Sequence, residues 1–492
     1  MVPLKNPAMP ASPVSIRSAQ SRQLARLVSR LGPTACGQAH GLHQLDPAAG
    51  DLAERFRAQV PEREYADLEP FIRRAGQGEA GALSPERPVA LAQTSGTSRG
   101  AGATERYIPQ DAALLAHHRR GGLKALLKVA FQVPSVLGAR MLLLGGCTTL
   151  DKSGPVPSGD LSGIAAAGLP WWIRHRYEPG ADISAIPDWN RRLDAIAARC
   201  AEQNLRLASG IPAWLLMLLD RMRQQGRPRP PIKAVIHGGH GVEPFIPALL
   251  SHLAPTTVMQ EVYPASEAFI AVGATPWRLG DGRPSPLELL TDHGVFLEFI
   301  TDDGVVHGAH ELAPGAVYRL LVTTPGGLLR YRLGDLVRAE GPGLIRVAGR
   351  TAHRLSVFGE HVEGDALAQA LAGAAKGNAA VVAHWHVAPV LPKADEPRGG
   401  HEWWIEFTQP PADAQAFLGT IDAQLKASVI DYAAHRDGGQ LLPPSLRAVP
   451  PGTFHAWLAA TGRLGGQRKV PIAGSDRAVA DQLSRYAGQF HD

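Results

Sequence analysis

At 492 residues the chain is too long for one ordinary hydrophobic core, which predicts two domains, one large and one small. A hydrophobic share of 45% and a charged share of 19% are those of a globular enzyme and exclude a disordered chain. A formal charge of +5, without a basic block or aromatic–basic interleave, argues against nucleic acid as a partner and is permissive for anionic small molecules.

The N-terminus, "MVPLKNPAMPASPVSIRSAQ", is Pro-rich and lacks the continuous apolar core of a signal peptide. Residues 15–75 read as amphipathic helix, with Leu24, Leu27 and Leu31 recurring among arginines. From about Pro88 short apolar runs alternate with helical stretches. "PVALAQT", "ARMLLLGG", "IKAVIHGG", "TVMQEVY" and "GVFLEFI" predict buried strands. "QDAALLAHHRRGGLKALLK", "DWNRRLDAIAARCAEQN" and "PAWLLMLLDRMRQQ" predict helices between them, hence a mixed α/β domain with largely parallel sheets. The most apolar stretch, Leu123 to Gly146, is interrupted by Lys124, Lys128, Pro134 and Arg140, so no membrane-spanning helix is expected. Between Ala316 and Val347 the strands become adjacent, which predicts an antiparallel or barrel-like subdomain.

After Arg350 the pattern resets. A helix at "HVEGDALAQALAGA", strands at "AAVVAHWHVAPV" and "HEWWIEFTQ", one long helix at "DAQAFLGTIDAQLKASVIDYAAHR", a strand near "LRAVP" and a helix from Thr453 predict a second, α+β domain. The expected division is 1–350 and 351–492, with "GRTAHRLSVFGE" as the hinge. Cys36, Cys147 and Cys200 are widely spaced and odd in number, which fits a reducing cytoplasm rather than a disulfide framework or zinc site.

Four clusters are able to carry chemistry. "LAQTSGTSRGAGATERYIP" places Thr94, Ser95, Gly96, Thr97 and Ser98 after a strand. Such hydroxyls and amides cradle phosphate oxygens, with Arg99 and Arg106 as candidate cations in place of a phosphate-loop lysine. On its own this stretch reads equally as a Ser/Gly-rich surface loop. "EVYPASEAF" offers the flat ring of Tyr263, the Ser266 hydroxyl and the Glu267 carboxylate, able to take Mg²⁺ with phosphate oxygens. "YRLGDLVR" puts Asp335 in a tight Gly turn, suited to ribose hydroxyls or to holding its own turn. "GGQRKVP" carries Lys469 in a late Gly-rich loop. Elsewhere, "HHRR" at His117–Arg120 reads as a solvated helix face. His384 and His386 share one face of a strand but have no evident third metal ligand, and Trp403 and Trp404 read as core and surface of a strand.

In chain order, the hydroxyl-rich loop, "HGGH", Tyr-x-x-Ser-Glu, Tyr-Arg-x-Gly-Asp, Gly-Arg and the late lysine resemble the ANL adenylate-forming superfamily. Within it the chain resembles the auxin-responsive acyl acid–amido synthetases (the Gretchen Hagen 3 family), its bacterial members in particular. "YPASEAF", "GGLLRYRLGDLVR", "GRTAHRLSVFGE", "HEWWIEF" and "GTFHAWLAATGRLGGQRKVP" extend the resemblance from about Leu91 to Pro471. It implies a large adenylate-forming domain and a small mobile one, with the helix around His117–Arg120 bordering the acyl pocket. Ser95, Gly96, Thr97 and Ser98 would grip phosphates, and Gly238 and Gly239 would lie against adenine with Tyr263 stacked on it. Ser266 would touch the α-phosphate, Glu267 hold Mg²⁺, Asp335 and Arg350 bind ribose, and Lys469 reach the α-phosphate and the acyl carboxylate. The departures are Arg99 for a common glycine, a longer loop tip, Pro264 after Tyr263, and Arg468 before the lysine.

The implied reaction is adenylation of a carboxylic acid by ATP, releasing pyrophosphate, followed by acyl transfer to an amino acid and release of AMP, in a monomeric cytoplasmic enzyme. Three rivals stand beside it: transfer to coenzyme A or a carrier-protein thiol, a catalytically silent nucleotide-binding protein, and a kinase-type site, the last disfavoured by the absent phosphate-loop lysine. The acid and the amine are not encoded in any motif.

Overall fold

The computed structural model describes residues 12–93, 106–145, 150–168, 175–186, 189–239, 242–350, 354–355, 357–393, 395–460, 471–474 and 476–487. The N-terminal helical segment forms four pieces, α1 (Pro13–Leu31), α2 (Ala35–Ala39), α3 (Leu52–Gln59) and α4 (Tyr65–Gly76). Gly32 caps α1 and Pro33 follows, where a missing N–H cannot continue the helix. Leu24, Leu27 and Leu31 lie on its buried face, as their spacing predicts.

The strands β1 (Ala90–Gln93) and β2 (Tyr107–Gln110) form an antiparallel pair in which Gln93 faces Tyr107. The stretch between them therefore starts and ends at one point of the fold. Next comes α5 (Ala112–Gln132), whose N-cap Asp111 accepts the Leu114 N–H at 2.7 Å and pairs with Arg30 of α1 at 2.8 Å. A cap of this kind contributes about 1 kcal/mol and fixes where the helix begins.

Then follow β3 (Arg140–Leu144), β4 (Ser158–Gly159), α6 (Leu161–Ala167), β5 (Tyr177–Glu178), α7 (Ala181–Ser184), α8 (Trp189–Ala201), β6 (Leu205–Gly210), α9 (Pro212–Gln224), β7 (Ala234–His237), α10 (Ile246–Leu250) and β8 (Val258–Pro264). The next strands are β9 (Phe269–Gly273), β10 (Trp277–Arg278), β11 (Leu287–Leu289), β12 (Phe296–Ile300), β13 (Val306–Gly308), β14 (Val317–Thr323), β15 (Tyr331–Gly341) and β16 (Leu344–Arg350). The main sheet runs in the order β13-β12-β14-β15-β16-β11-β9-β8-β7-β6-β3-β5, with β10 beside β8. From β5 to β8 the neighbours are parallel, and from β8 to β13 they are antiparallel. The antiparallel half expected between residues 316 and 347 is thus continuous with the parallel half, and β8 belongs to both.

The C-terminal part consists of β17 (Arg354–Leu355), β18 (Val362–Glu363), α11 (Gly364–Gly377), β19 (Val381–Val390), β20 (Gly400–Gln409), α12 (Ala414–Ser428), α13 (Ile430–Asp437), β21 (Ser445–Val449), α14 (Thr453–Ala460) and α15 (Ala478–Ala487). Two expectations are corrected here. The single long helix is two, because Val429 adopts an extended conformation between α12 and α13. Trp404 is not a surface residue: it is 3% exposed, since the α14–α15 layer, with Phe454 and Trp457, covers its face of the sheet.

The antiparallel half packs under the N-terminal helices in one apolar cluster. A buried charge network joins the two: Arg330 Nε meets Glu298 at 2.9 Å, Arg57 meets its other oxygen at 2.9 Å, and Arg330 also donates to the Val60 carbonyl at 2.8 Å. A second cluster runs from α8 and α9 through Phe358 to Trp403, Phe417 and Tyr432. Among the described residues no helix is long and apolar enough to cross a membrane.

Candidate active site

The geometry centres on the β8–β9 junction. Ala265 N–H donates to the Ala268 carbonyl at 2.9 Å, leaving Ser266 and Glu267 at the tip of a tight turn. Both are half-buried. Two buried groups grip that turn from outside: Gln110, at the end of β2, donates to the Ser266 carbonyl at 2.8 Å, and His117 of α5 accepts the Phe269 N–H at 2.9 Å. The exit strand of the hydroxyl-rich stretch is therefore bonded directly to the Ser266–Glu267 turn.

His117 and His118 correct the reading of "HHRR" as a solvated face. They are 1% and 7% exposed, and only Arg119 and Arg120 face solvent. Burial holds His117 near pKa 4 and His118 near 3, so both imidazoles are neutral.

Tyr263, two residues along β8 from Glu261, donates its hydroxyl to Asp335 Oδ2. Asp335 is 3% exposed and does not sit in a turn, as expected from the sequence, but inside β15. Opposite Arg319–Leu321 of β14 the β15 chain carries extra residues, Leu333 to Asp335, and Gly334 takes φ 81°, a bulge that leaves the aspartate without a register partner on β14. Across β16 its partner in register is Arg350. Glu261 shares the Tyr263 face of the strand; burial, then the Glu243 charge, raise its carboxyl to about 7, against the opposing Arg346.

Gly238 and Gly239 follow β7. A Cβ on Gly238 would lie 2.5 Å from the Val262 carbonyl oxygen, and Gly239 has φ 90°, so both positions require glycine for backbone reasons. At Gly238 the missing side chain lets the end of β7 lie directly against Val262 and Pro264, the residues either side of Tyr263. Arg106, at the end of the hydroxyl-rich stretch, lies 5.3 Å above the Tyr65 ring, and Tyr65 accepts the Tyr107 N–H at 3.1 Å. Tyr331, deep beneath, feels the charges of both Glu267 and Arg106, and burial is what raises its pKa.

Thr94, Ser95, Gly96, Thr97, Ser98, Arg99, Arg468 and Lys469 lie outside the described residues. The chain re-enters at Pro471, whose carbonyl accepts from His386 Nδ1 at 2.8 Å. His386 is fully buried whereas His384 is exposed against the Phe454 ring, and among the described residues no three His, Cys, Asp or Glu side chains group around a metal position. Glu267, half-buried at the tip of the turn, is a carboxylate that could join phosphate oxygens around a cation. Cys36 and Cys200 are free and buried, with thiols pushed up to about 12, first by burial.

Sequence reading missed Gln110, His117, Tyr65 and Arg330. None was singled out for a role at the site, although His117 lies in "HHRR" and Arg330 in "GGLLRYRLGDLVR"; each acts through a contact far along the chain.

Three family profiles match the chain: the GH3 family N-terminal domain over residues 14–204, its central domain over 288–343 and its C-terminal domain over 365–478. Among solved structures the chain is similar to the AtGH3.15 acyl acid amido synthetase in complex with 2,4-DB, at 16% identity over 99% of this chain and 98% of that one, TM-score 0.57. It is also similar to a 2-hydroxyisobutyryl-CoA ligase in complex with 2-HIB-AMP and CoA, at 13% identity over 95% and 92%, TM-score 0.57. At these identities the likeness speaks for the fold, which the chain shares with adenylate-forming enzymes over nearly its whole length. With the three domain profiles of one family matched in order over well more than half of its residues, the chain belongs to the GH3 family.

Proposed function

We propose that the chain is an ATP-dependent acyl acid–amido synthetase, which adenylates a carboxylic acid and passes the acyl group to the amine of an amino acid. The observation that carries this reading is the convergence of separate motifs on one strand end. Tyr263 bonds Asp335, Gly238 abuts Val262, and Gln110 ties the hydroxyl-rich stretch to the Ser266–Glu267 turn.

In the first step a carboxylate oxygen attacks the α-phosphorus of ATP, the bond to the β-phosphate oxygen breaks and pyrophosphate leaves. The protein's task is orientation and neutralisation of charge. Gly238 and Gly239 offer the base a flat backbone shelf, Tyr263 a ring whose hydroxyl is fixed by Asp335, and Asp335 an acceptor for ribose hydroxyls beside Arg350. Ser95, Gly96, Thr97 and Ser98, with Thr94, are assigned to the phosphates, Ser266 to the α-phosphate and Lys469 to the α-phosphate and acyl carboxylate. Glu267 is the residue for Mg²⁺, which when bound neutralises phosphate charge. In the second step the amine nitrogen attacks the acyl carbon, the carbon–oxygen bond to AMP breaks, and the amine loses its proton.

We assign residues 351–492 to a smaller unit that reorients about Arg350–Ser356 between the steps. The enzyme is taken to act as a monomer in the cytoplasm, where free, buried thiols are at home.

Carboxylate-dependent ATP–pyrophosphate exchange without amine tests the first step, and AMP release on adding amino acids tests the second. The reading predicts exchange that collapses in Glu267→Ala and Lys469→Ala. AMP release accelerated by coenzyme A and by no amino acid would assign the acyl group to a thiol instead. ADP as the product would reject adenylation, and silence across a broad panel of acids would leave a binding protein.

A further inference from the structure

His117 is a buried imidazole with both ring nitrogens committed, and the proposed reaction gives it no role. It projects from the first half of α5, one helical turn before Gly121. Its Nδ1–H donates to the His293 carbonyl at 2.9 Å, because a carbonyl accepts only, and its Nε2 therefore accepts the Phe269 N–H at 2.9 Å. Gly121 completes the grip. A Cβ there would lie 2.5 Å from the Phe269 ring, so the ring rests on bare helix backbone. On the other side of Glu267, Gln110, fully buried, donates to the Ser266 carbonyl at 2.8 Å. The residue before Glu267 and the second residue after it are thus both held by buried hydrogen bonds, from two different elements.

We infer that His117 is a positioning residue for the Ser266–Glu267 turn, holding the Glu267 carboxylate where a divalent cation and the nucleotide phosphates meet. The inference rests on the proposed role of Glu267. Its basis is geometric: an alternative in which His117 serves only to fasten α5 would need the His293 bond alone, and the second bond is spent on Phe269, the first residue of β9, where the chain leaves the turn. The imidazole stays neutral because a proton on Nε2 would face the Phe269 N–H, in keeping with a pKa near 4 set chiefly by burial.

Two substitutions separate turn positioning from helix fastening. His117→Asn presents an amide donor at the Nδ1 position and loses the acceptor for Phe269, whereas His117→Gln offers a carbonyl oxygen near the Nε2 position. Mn²⁺ binding to the ATP-loaded enzyme, followed by water-proton relaxation, reads the site without turnover; Mg²⁺ dependence of exchange and the melting temperature are measured alongside. Supporting groups around a metal ligand change affinity by about 10–100-fold, so His117→Asn is expected to weaken Mn²⁺ by about that factor, with His117→Gln returning to within about 3-fold of wild type. The Michaelis constant for the acid is expected to stay put. Wild-type Mn²⁺ affinity in His117→Asn overturns the inference, as does an equal loss of Mn²⁺ affinity in both variants, which marks a structural role only. Absence of acid-dependent exchange in the wild type would reject the proposed reaction itself, a separate result.

Discussion

Replacement of Gly238 by alanine tests whether the bare backbone beside Tyr263 matters. The new Cβ would stand 2.5 Å from the Val262 carbonyl oxygen, where ordinary contact begins at 3.4 Å, so about 0.9 Å has to be recovered. Rotation away is blocked by Val262 Cγ2 at 3.1 Å and Pro264 Cδ at 3.3 Å. The obstacle is backbone on a central strand, so β8 itself must retreat from the end of β7. Tyr263 follows Val262 directly, and its hydroxyl is bonded to Asp335; a shift of this size moves the ring off its anchor. Misplacement of a binding group by about 1 Å costs about 100-fold in rate. Acid-dependent ATP–pyrophosphate exchange, measured against ATP and against acid, is therefore expected to lose about 100-fold in kcat/KM for ATP while the Michaelis constant for the acid changes by less than about 3-fold. Circular dichroism confirms that the chain is folded. A Gly238→Ala enzyme whose ATP parameters stay within about 3-fold of wild type would refute the shelf and with it the placement of the base.

Tyr263→Phe removes a hydrogen bond to a buried carboxylate, worth about 1.5–3 kcal/mol, and is expected to raise the Michaelis constant for ATP by about 10–100-fold, read in the same exchange assay. Arg330→Met leaves Glu298 buried with one partner fewer. Breaking such a pair lowers unfolding free energy by about 3–5 kcal/mol, so the urea midpoint falls while the Michaelis constant for ATP in the folded enzyme is unchanged. The pH response of the two buried imidazoles has a definite sign. Their pKa values fall from 6.5 to about 4 and about 3 on folding, so the unfolded chain binds more protons, and stability that is full above 6.5 is lost as pH drops toward 4. At pH 5 the loss is about 2 kcal/mol per imidazole. Urea titrations at pH 7.5 and pH 5 measure it, and His118→Phe is expected to remove about half; an unchanged pH dependence in that variant would refute the assignment.

Much of the fold was legible because its signals are local. Short apolar runs and 3.6-residue periodicity named β3, β7, β8, β12, α5, α8 and α9, and readings failed where tertiary packing overruled the local pattern. Val429 broke a helix that composition alone would continue. Trp404 was read as exposed because alternation along one strand does not reveal that α14 and α15 cover the second face. Asp335 was read into a turn because "LGD" has turn chemistry, while the structure uses the same glycine for a bulge inside a long strand.

The sequence by itself determined the ordered set of motifs, the family they resemble and the glycines that leave backbone bare, since each depends on residues a few positions apart. Only the tertiary structure decided that Tyr263 reaches Asp335 across 72 residues, and that His117 reaches Phe269 across 152. Those meetings follow from strand order and register, with β8 flanked by parallel β7 and antiparallel β9. A sheet's order is set by how whole elements bury their apolar faces against one another, and no window of sequence contains that.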